Sequence, residues 1–119
     1  MKAVLLQTYG DVDQFQVQDV PTPGAGPGEV LVKLKASAVN AIDPALRQGF
    51  MAKFVPLELP AILGIDGAGT VAAVGQDVTG FAVGDRVIIR VMPKGHGTHA
   101  DYAVAPVSGV AKLPDDVSF

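Results

Sequence analysis

The stretch GIDGAGTVAAVG at residues 64–75 has the spacing of a cofactor-binding loop. Gly67, Gly69 and Ala72 form the pattern G-x-G-x-x-A, a variant of the dinucleotide-binding fingerprint. Glycines serve in that loop because its backbone must closely approach a pyrophosphate at the N-terminus of a helix. The stretch therefore raises the question of whether this chain binds a nicotinamide cofactor here.

The residues around the fingerprint lack the strand and the helix that a dinucleotide-binding loop requires. Pro60 lies so close to Gly64 that no long buried strand fits between them. Residues 70–74 are small or β-branched, and Gly75 ends this segment before a helix of ordinary length could form. We therefore predict that residues 67–75 form a strand bounded by glycine turns.

Composition excludes several other kinds of site. The chain has no cysteine, which removes disulfides, thiol nucleophiles and cysteine-based zinc sites. His96 and His99 could approach a common metal ion, but no third ligand lies near them in the sequence. We interpret both as hydrogen-bonded or solvated loop histidines.

Length and charge limit the partners. A chain of 119 residues predicts one domain, and its net charge of −3 comes with scattered basic residues. We expect neither nucleic acid nor a membrane as a partner. The N-terminal run MKAVLLQTYGD is too short for a signal peptide or a membrane span, so we expect a cytoplasmic protein.

Seven short apolar runs between turn signals predict an all-β domain. They are AVLLQTY, FQVQDV, EVLVKLKASAV, GTVAAVG, DRVIIRV, HADYAVAP and GVAKLP. In the third run, Val30, Val32 and Leu34 share one face of the strand, whereas Lys33 and Lys35 share the other. This alternation is typical of an antiparallel strand with one buried face.

One short helix is predicted after residue 42. Asp43 can cap its N-terminus, Pro44 suits the first helical position, and Gly49 suits a left-handed exit. Residues 50–60 then predict an irregular apolar loop that packs on the barrel or lines a pocket. At the end of the chain, Ser118 has the position of a helix cap with no helix after it, from which we expect a longer natural protein.

The sequence as a whole resembles the GroES-like catalytic domain of the medium-chain dehydrogenase/reductase superfamily. The segments that carry the resemblance are MKAVLLQTYG, GEVLVKLKASAVNAIDPALRQG, LGIDGAGTVAAVG, FAVGDRV, GTHADYAVAP and KLPDDVSF. Within that superfamily the sequence looks most like the zinc-independent, quinone oxidoreductase-like branch. The resemblance implies an irregular antiparallel barrel over residues 1–119, followed in the family by a Rossmann domain that carries the cofactor fingerprint.

The resemblance also bears on a metal site. In zinc-dependent members a cysteine stands at the position of Asn40, and a histidine and a glutamate stand at Ile65 and Asp66. Catalytic zinc needs three protein ligands of the Cys, His or carboxylate type. Asn40 and Ile65 supply neither a thiolate nor an imidazole. The resemblance therefore implies a protein with no zinc and no other metal site.

A domain without a Lewis acid suits acceptors that delocalise negative charge over a conjugated system. The resemblance thus implies hydride transfer from NADPH to a quinone or another conjugated carbonyl in the full-length protein. It also implies that Asn40 contacts the nicotinamide, which makes Asn40 the candidate cofactor-binding residue. Asn40 and Asp43 are the candidate catalytic residues. Asn40 could instead satisfy backbone groups, and Asp43 could simply cap the helix.

Two other interpretations of function stay open at this point. The chain could be a stand-alone β-barrel that binds or assembles without catalysis, or it could carry the family name of a zinc-type alcohol dehydrogenase. Quinone reductases of this kind often have tyrosines at the positions of Ala45 and residues 50–54, and this chain has none there. We expect the isolated chain to bind no NADPH, and we expect the protein to form a homo-oligomer.

Overall fold

The computed structural model describes all residues from Met1 to Phe119. Its strands are β1 (Lys2–Leu6), β2 (Phe15–Asp19), β3 (Glu29–Ser37), β4 (Ala61–Ile62), β5 (Asp66–Val74), β6 (Arg86–Arg90), β7 (Tyr102–Pro106) and β8 (Val110–Lys112). The single α-helix is α1 (Ile42–Gln48), and two short 3-10 turns cover Val12–Gln14 and Val107–Gly109. The predicted all-β class with one short helix is confirmed.

The strands form two antiparallel sheets. One has the order β2-β1-β4, and the other has the order β7-β3-β5-β6-β8. Isolated bridges join Ala3 to Ala100 and Ile62 to His96, which connects the first sheet to the segment before β7. The result is a curled, barrel-like arrangement of the two sheets. Each of the seven predicted apolar runs contributes to a strand.

The alternation in β3 has the predicted consequence for packing. Val30 and Val32 are fully buried in a core that includes Val71 of β5 and Val87 of β6. Leu34 is partly buried against the same core, while Lys33 is exposed. Burial of this valine-rich face is the main apolar contribution to the sheet.

The fingerprint glycines lie within β5, as predicted. At Gly69 the backbone of β3 runs so close that a side-chain carbon would collide with the carbonyl of Lys33. The pairing of β3 with β5 also shifts register between Leu34 and Ala36, which marks a bulge at this point. Close strand approach therefore explains this glycine without a cofactor.

The helix departs from prediction at its start. The residue before α1 is Ala41, with helical backbone angles and no side-chain cap, so Asp43 is the second residue of the helix. The prediction that Asp43 caps the helix is wrong, because its carboxylate binds groups outside the helix. The left-handed exit at Gly49 is confirmed by its φ of 83°. No helix of the structure is long and apolar enough to cross a membrane.

Residues 50–60 divide between core and surface. Leu57 is buried in a second core with Leu6, Leu46 and Leu63, so part of this segment packs on the barrel as expected. Other large apolar side chains stay in solvent, with Phe50 77% exposed and Phe54 85% exposed. Strand β4, which follows, was not predicted, because two residues are too few to carry a periodic pattern.

Candidate functional site

The structure brings Asn40 and Asp66 together across a gap of 26 residues in the sequence. Asn40 lies just before α1, and Asp66 is the first residue of β5. The side-chain Nδ2 of Asn40 donates a hydrogen bond of 3.1 Å to Oδ2 of Asp66. Both side chains are half-buried. Two of the positions at which the resemblance placed zinc-motif residues are thus occupied by a bonded amide–carboxylate pair.

Asp43 holds the backbone around this pair. It is only 4% exposed. Its Oδ2 accepts a hydrogen bond of 2.6 Å from the backbone N–H of Asn40, and its Oδ1 accepts one of 3.1 Å from that of Gly64. A single carboxylate therefore ties the start of α1 to the segment that leads into β5. Charge-assisted bonds of this kind are among the stronger ones in proteins.

Residues 97–99 pack against the segment that leads into β5. Thr98 is fully buried, and its Oγ1 donates to the backbone carbonyl of Asp66 at 2.7 Å. The backbone N–H groups of Thr98 and His99 donate to the carbonyls of Gly64 and Leu63. These contacts fix the backbone of Asp66. Thr98 was not predicted as a site residue, because a single threonine in a glycine-rich loop carries no periodic pattern.

Gly64 sits at the centre of this arrangement. Its φ is +92°, and a side-chain carbon there would come within 2.5 Å of Thr98 Oγ1 and 2.7 Å of the His99 ring. Both the backbone angle and the space therefore require glycine. The Asp43 contact, at the N–H of Gly64, and the Thr98 contact, at the carbonyl of Asp66, thus lie two residues apart on one segment.

The donor set does not fit a catalytic metal. No three His, Cys, Asp or Glu side chains are arranged to hold an ion. Of Asn40, Ile65 and Asp66, only Asp66 carries a side chain of a metal-ligand type, and one of its oxygens is already bonded to Asn40. The ring of His99 lies 3.1 Å from the carbonyl oxygen of Ala38, as expected for a hydrogen-bonded loop histidine.

Asp66 borders an open cavity of about 660 Å³ on the outer face of the larger sheet. Small and aliphatic side chains such as Ala36, Ala68 and Ile88 dominate its lining, with Arg90 and Ser108 as polar neighbours. The Oδ1 atom of Asp66 is buried and has no hydrogen-bond donor. Such an atom is costly unless a further donor reaches it.

Similarity to known proteins identifies the family of this chain. Residues 26–115 match the family described as the alcohol dehydrogenase GroES-like domain. This chain belongs to that family. The GroES-like domain is 38% identical to the chloroplastic quinone-oxidoreductase QR1 of Triphysaria versicolor, over 99% of this chain and 36% of that protein. The resemblance inferred from the sequence is confirmed.

Solved structures agree with this assignment. The quinone oxidoreductase of Pseudomonas syringae pv. tomato superposes with a TM-score of 0.90 and 38% identity, over 99% of this chain and 35% of that chain. A mycobacterial protein solved in complex with NADPH gives a TM-score of 0.85 and 38% identity, over 99% and 35% of the two chains. These relatives support an NAD(P)H oxidoreductase domain. The GroES-like domain spans about a third of the length of the curated relatives it matches.

Proposed function

We propose that this chain is the substrate-side domain of a zinc-independent reductase that transfers hydride from NADPH to a quinone or another conjugated carbonyl. The proposal includes a cofactor domain elsewhere in the full-length protein, since the matched relatives are about three times as long as this chain. The acceptor takes a hydride from NADPH and a proton from solvent. A quinone thereby becomes a hydroquinone, and NADP⁺ remains.

The observation that carries the proposal is the bond between Asn40 and Asp66. An amide at this position cannot act as a thiolate ligand, and it engages the one carboxylate that could have held a metal. Reduction of a simple ketone would need strong polarisation of its carbonyl. A quinone or an enone needs less, because the negative charge that develops spreads over the conjugated acceptor.

The residues of this chain would then act by positioning. Asn40 would bind the nicotinamide, and Asp43 would hold the backbone of Asn40 through the 2.6 Å bond to its N–H. The apolar lining beside Asp66 would exclude water from the acceptor. Holding the two reactants in contact can supply a large part of the rate enhancement by itself.

The test is NADPH oxidation with a simple quinone, run on the isolated chain and on the chain joined to the cofactor domain of a relative. We expect turnover only from the joined protein. In that protein Asn40→Ala should lower turnover more than it lowers stability. Turnover by the isolated chain would refute the proposal, and so would the lack of it in a well-folded joined protein across quinones and enones. The second outcome would favour a binding module without catalysis.

A further inference from the structure

The bond between Asn40 and Asp66 determines which way the Asn40 amide faces. An ionised carboxylate only accepts hydrogen bonds, whereas an amide has a donating NH₂ end and an accepting oxygen end. The NH₂ end of Asn40 must therefore face Asp66. The structure has this orientation, with a bond of 3.1 Å from Nδ2 of Asn40 to Oδ2 of Asp66. The reversed amide would set its oxygen against a carboxylate oxygen, and the two would repel.

The rest of the site fixes the backbone of Asn40. Its backbone N–H is bonded to Asp43 Oδ2, and its carbonyl accepts the N–H of Asp43 at 3.0 Å. On this fixed backbone, the terminal amide of the side chain has two nearly equivalent orientations. Asp66 is the partner that makes those two orientations unequal.

The Oδ1 atom of Asn40 accepts no hydrogen bond from any group of the chain. A ligand that pairs with it must supply a donor. The carbonyl oxygens of a quinone or an enone only accept, so they cannot pair with this atom. The nicotinamide ring of NADPH carries a carboxamide whose NH₂ group can donate to it.

We propose that Asp66 is a positioning residue that orients the amide of Asn40, so that Asn40 Oδ1 accepts a hydrogen bond from the nicotinamide carboxamide. This inference rests on the proposed function and assigns Asn40 to cofactor recognition, not to the polarisation of the acceptor. It gives Asp66 a role that does not depend on a metal.

Nuclear magnetic resonance of the 119-residue chain tests the orientation without any cofactor. We expect one Nδ2 proton of Asn40 to exchange with water more slowly than the side-chain protons of the exposed, unbonded Gln76. In Asp66→Asn this protection should be lost, because the new amide can pair with either end of Asn40. Asp85→Asn, which removes a remote carboxylate, should leave the protection unchanged.

Exchange of both Asn40 protons at the Gln76 rate in the unmodified chain would overturn the proposal. This measurement needs no variant, so it decides the matter even if Asp66→Asn does not fold. Full protection in a folded Asp66→Asn variant would also overturn it.

Kinetics of the chain joined to a cofactor domain test the carboxamide contact. The 3-acetylpyridine analogue of NADPH has a methyl group where the carboxamide has its NH₂. We expect Asp66→Asn to raise the KM for NADPH about twofold, because the competent amide orientation is then populated only about half the time, and to leave the KM for the analogue unchanged. An equal change in KM for NADPH and for the analogue would mean that Asp66 has only a structural role, and it would overturn the proposal.

Failure of the proposed function gives a different result. A joined protein that binds no NADPH would refute that function and the carboxamide contact together. The exchange measurement on the chain alone would still decide whether Asp66 orients Asn40.

Discussion

Asp43 Oδ1 accepts the backbone N–H of Gly64 over 3.1 Å, which joins the first turn of α1 to the segment before β5. The same carboxylate accepts the N–H of Asn40 with its other oxygen. Because the side chain is almost wholly buried, no water can replace these two bonds. Asp43 thus acts first as a brace, and it positions Asn40 through the backbone.

The first prediction concerns this brace. Asp43→Ala should lower the free energy of unfolding by about 2–4 kcal/mol, because two backbone donors lose a charged acceptor. Asp85→Ala is the matched control, since Asp85 accepts one backbone N–H from Ala82 and pairs with Lys112 at the surface. It should cost about 1 kcal/mol or less. Urea titration of both variants measures the difference, and equal losses would contradict the bracing role.

The second prediction separates backbone angle from space at Gly64. Gly64→Ala should destabilise the chain by about 3 kcal/mol, because the new carbon meets both an unfavourable φ and the Thr98 and His99 side chains. Gly80 has a similar φ of +85° with nothing within 4 Å. Gly80→Ala should therefore cost only about 1 kcal/mol, the backbone part alone. Thermal unfolding compares the stability of the two variants. A Gly64→Ala variant as stable as Gly80→Ala would contradict the prediction that crowding by Thr98 and His99 adds to the cost at Gly64.

The third prediction answers the question of the fingerprint. Gly69→Ala should destabilise the fold by about 3 kcal/mol, since the new carbon would strike the backbone of Lys33 and Leu34. Gly67→Ala should cost about 1 kcal/mol, because the new carbon would meet the movable Cδ2 of Leu34 and would come no closer than 3.1 Å to a backbone atom, the carbonyl oxygen of Ala36.

A dinucleotide loop would give the opposite pattern, with both glycines needed for cofactor binding and neither for folding. Denaturant unfolding of the two variants, together with NADPH titration of each, distinguishes the alternatives. Weakened NADPH binding with stability unchanged would restore the cofactor interpretation of residues 67–75.

The fourth prediction concerns the exposed phenylalanines. Phe50 and Phe54 present apolar rings to solvent, and we expect the isolated chain to self-associate through them. Replacing both with serine should reduce association in sedimentation velocity without lowering the unfolding midpoint. Val12→Ser, at a residue that is 67% exposed elsewhere, is the control and should change nothing. Association that persists in the double variant would show that another surface is responsible.

Much of the fold could be predicted because its signals are local. The alternation in β3, the left-handed exit at Gly49 and the strand character of residues 67–75 each follow from neighbouring residues. Strand β4 was not predicted, because it forms through its pairing with β1 and two residues are too few to show a sequence pattern.

The site was harder to predict, for a physical reason. Local propensity favoured Asp43 as a cap, but its carboxylate is bound by a backbone group 21 residues away. The pair formed by Asn40 and Asp66 has no periodic signal either, and its hydrogen bond was not predicted. Contacts between distant segments are set by the packing of the whole barrel.

The most direct test of the central claim compares two acceptors that differ by one double bond. The chain, joined to a cofactor domain and dialysed against a chelator, is given NADPH with either 2-cyclohexen-1-one or cyclohexanone. We predict turnover with the conjugated ketone, little with the saturated one, no change on chelation, and no stoichiometric zinc by metal analysis. Equal reduction of both ketones, or activity that vanishes with the chelator and returns with zinc, would contradict zinc-independent reduction of a conjugated acceptor.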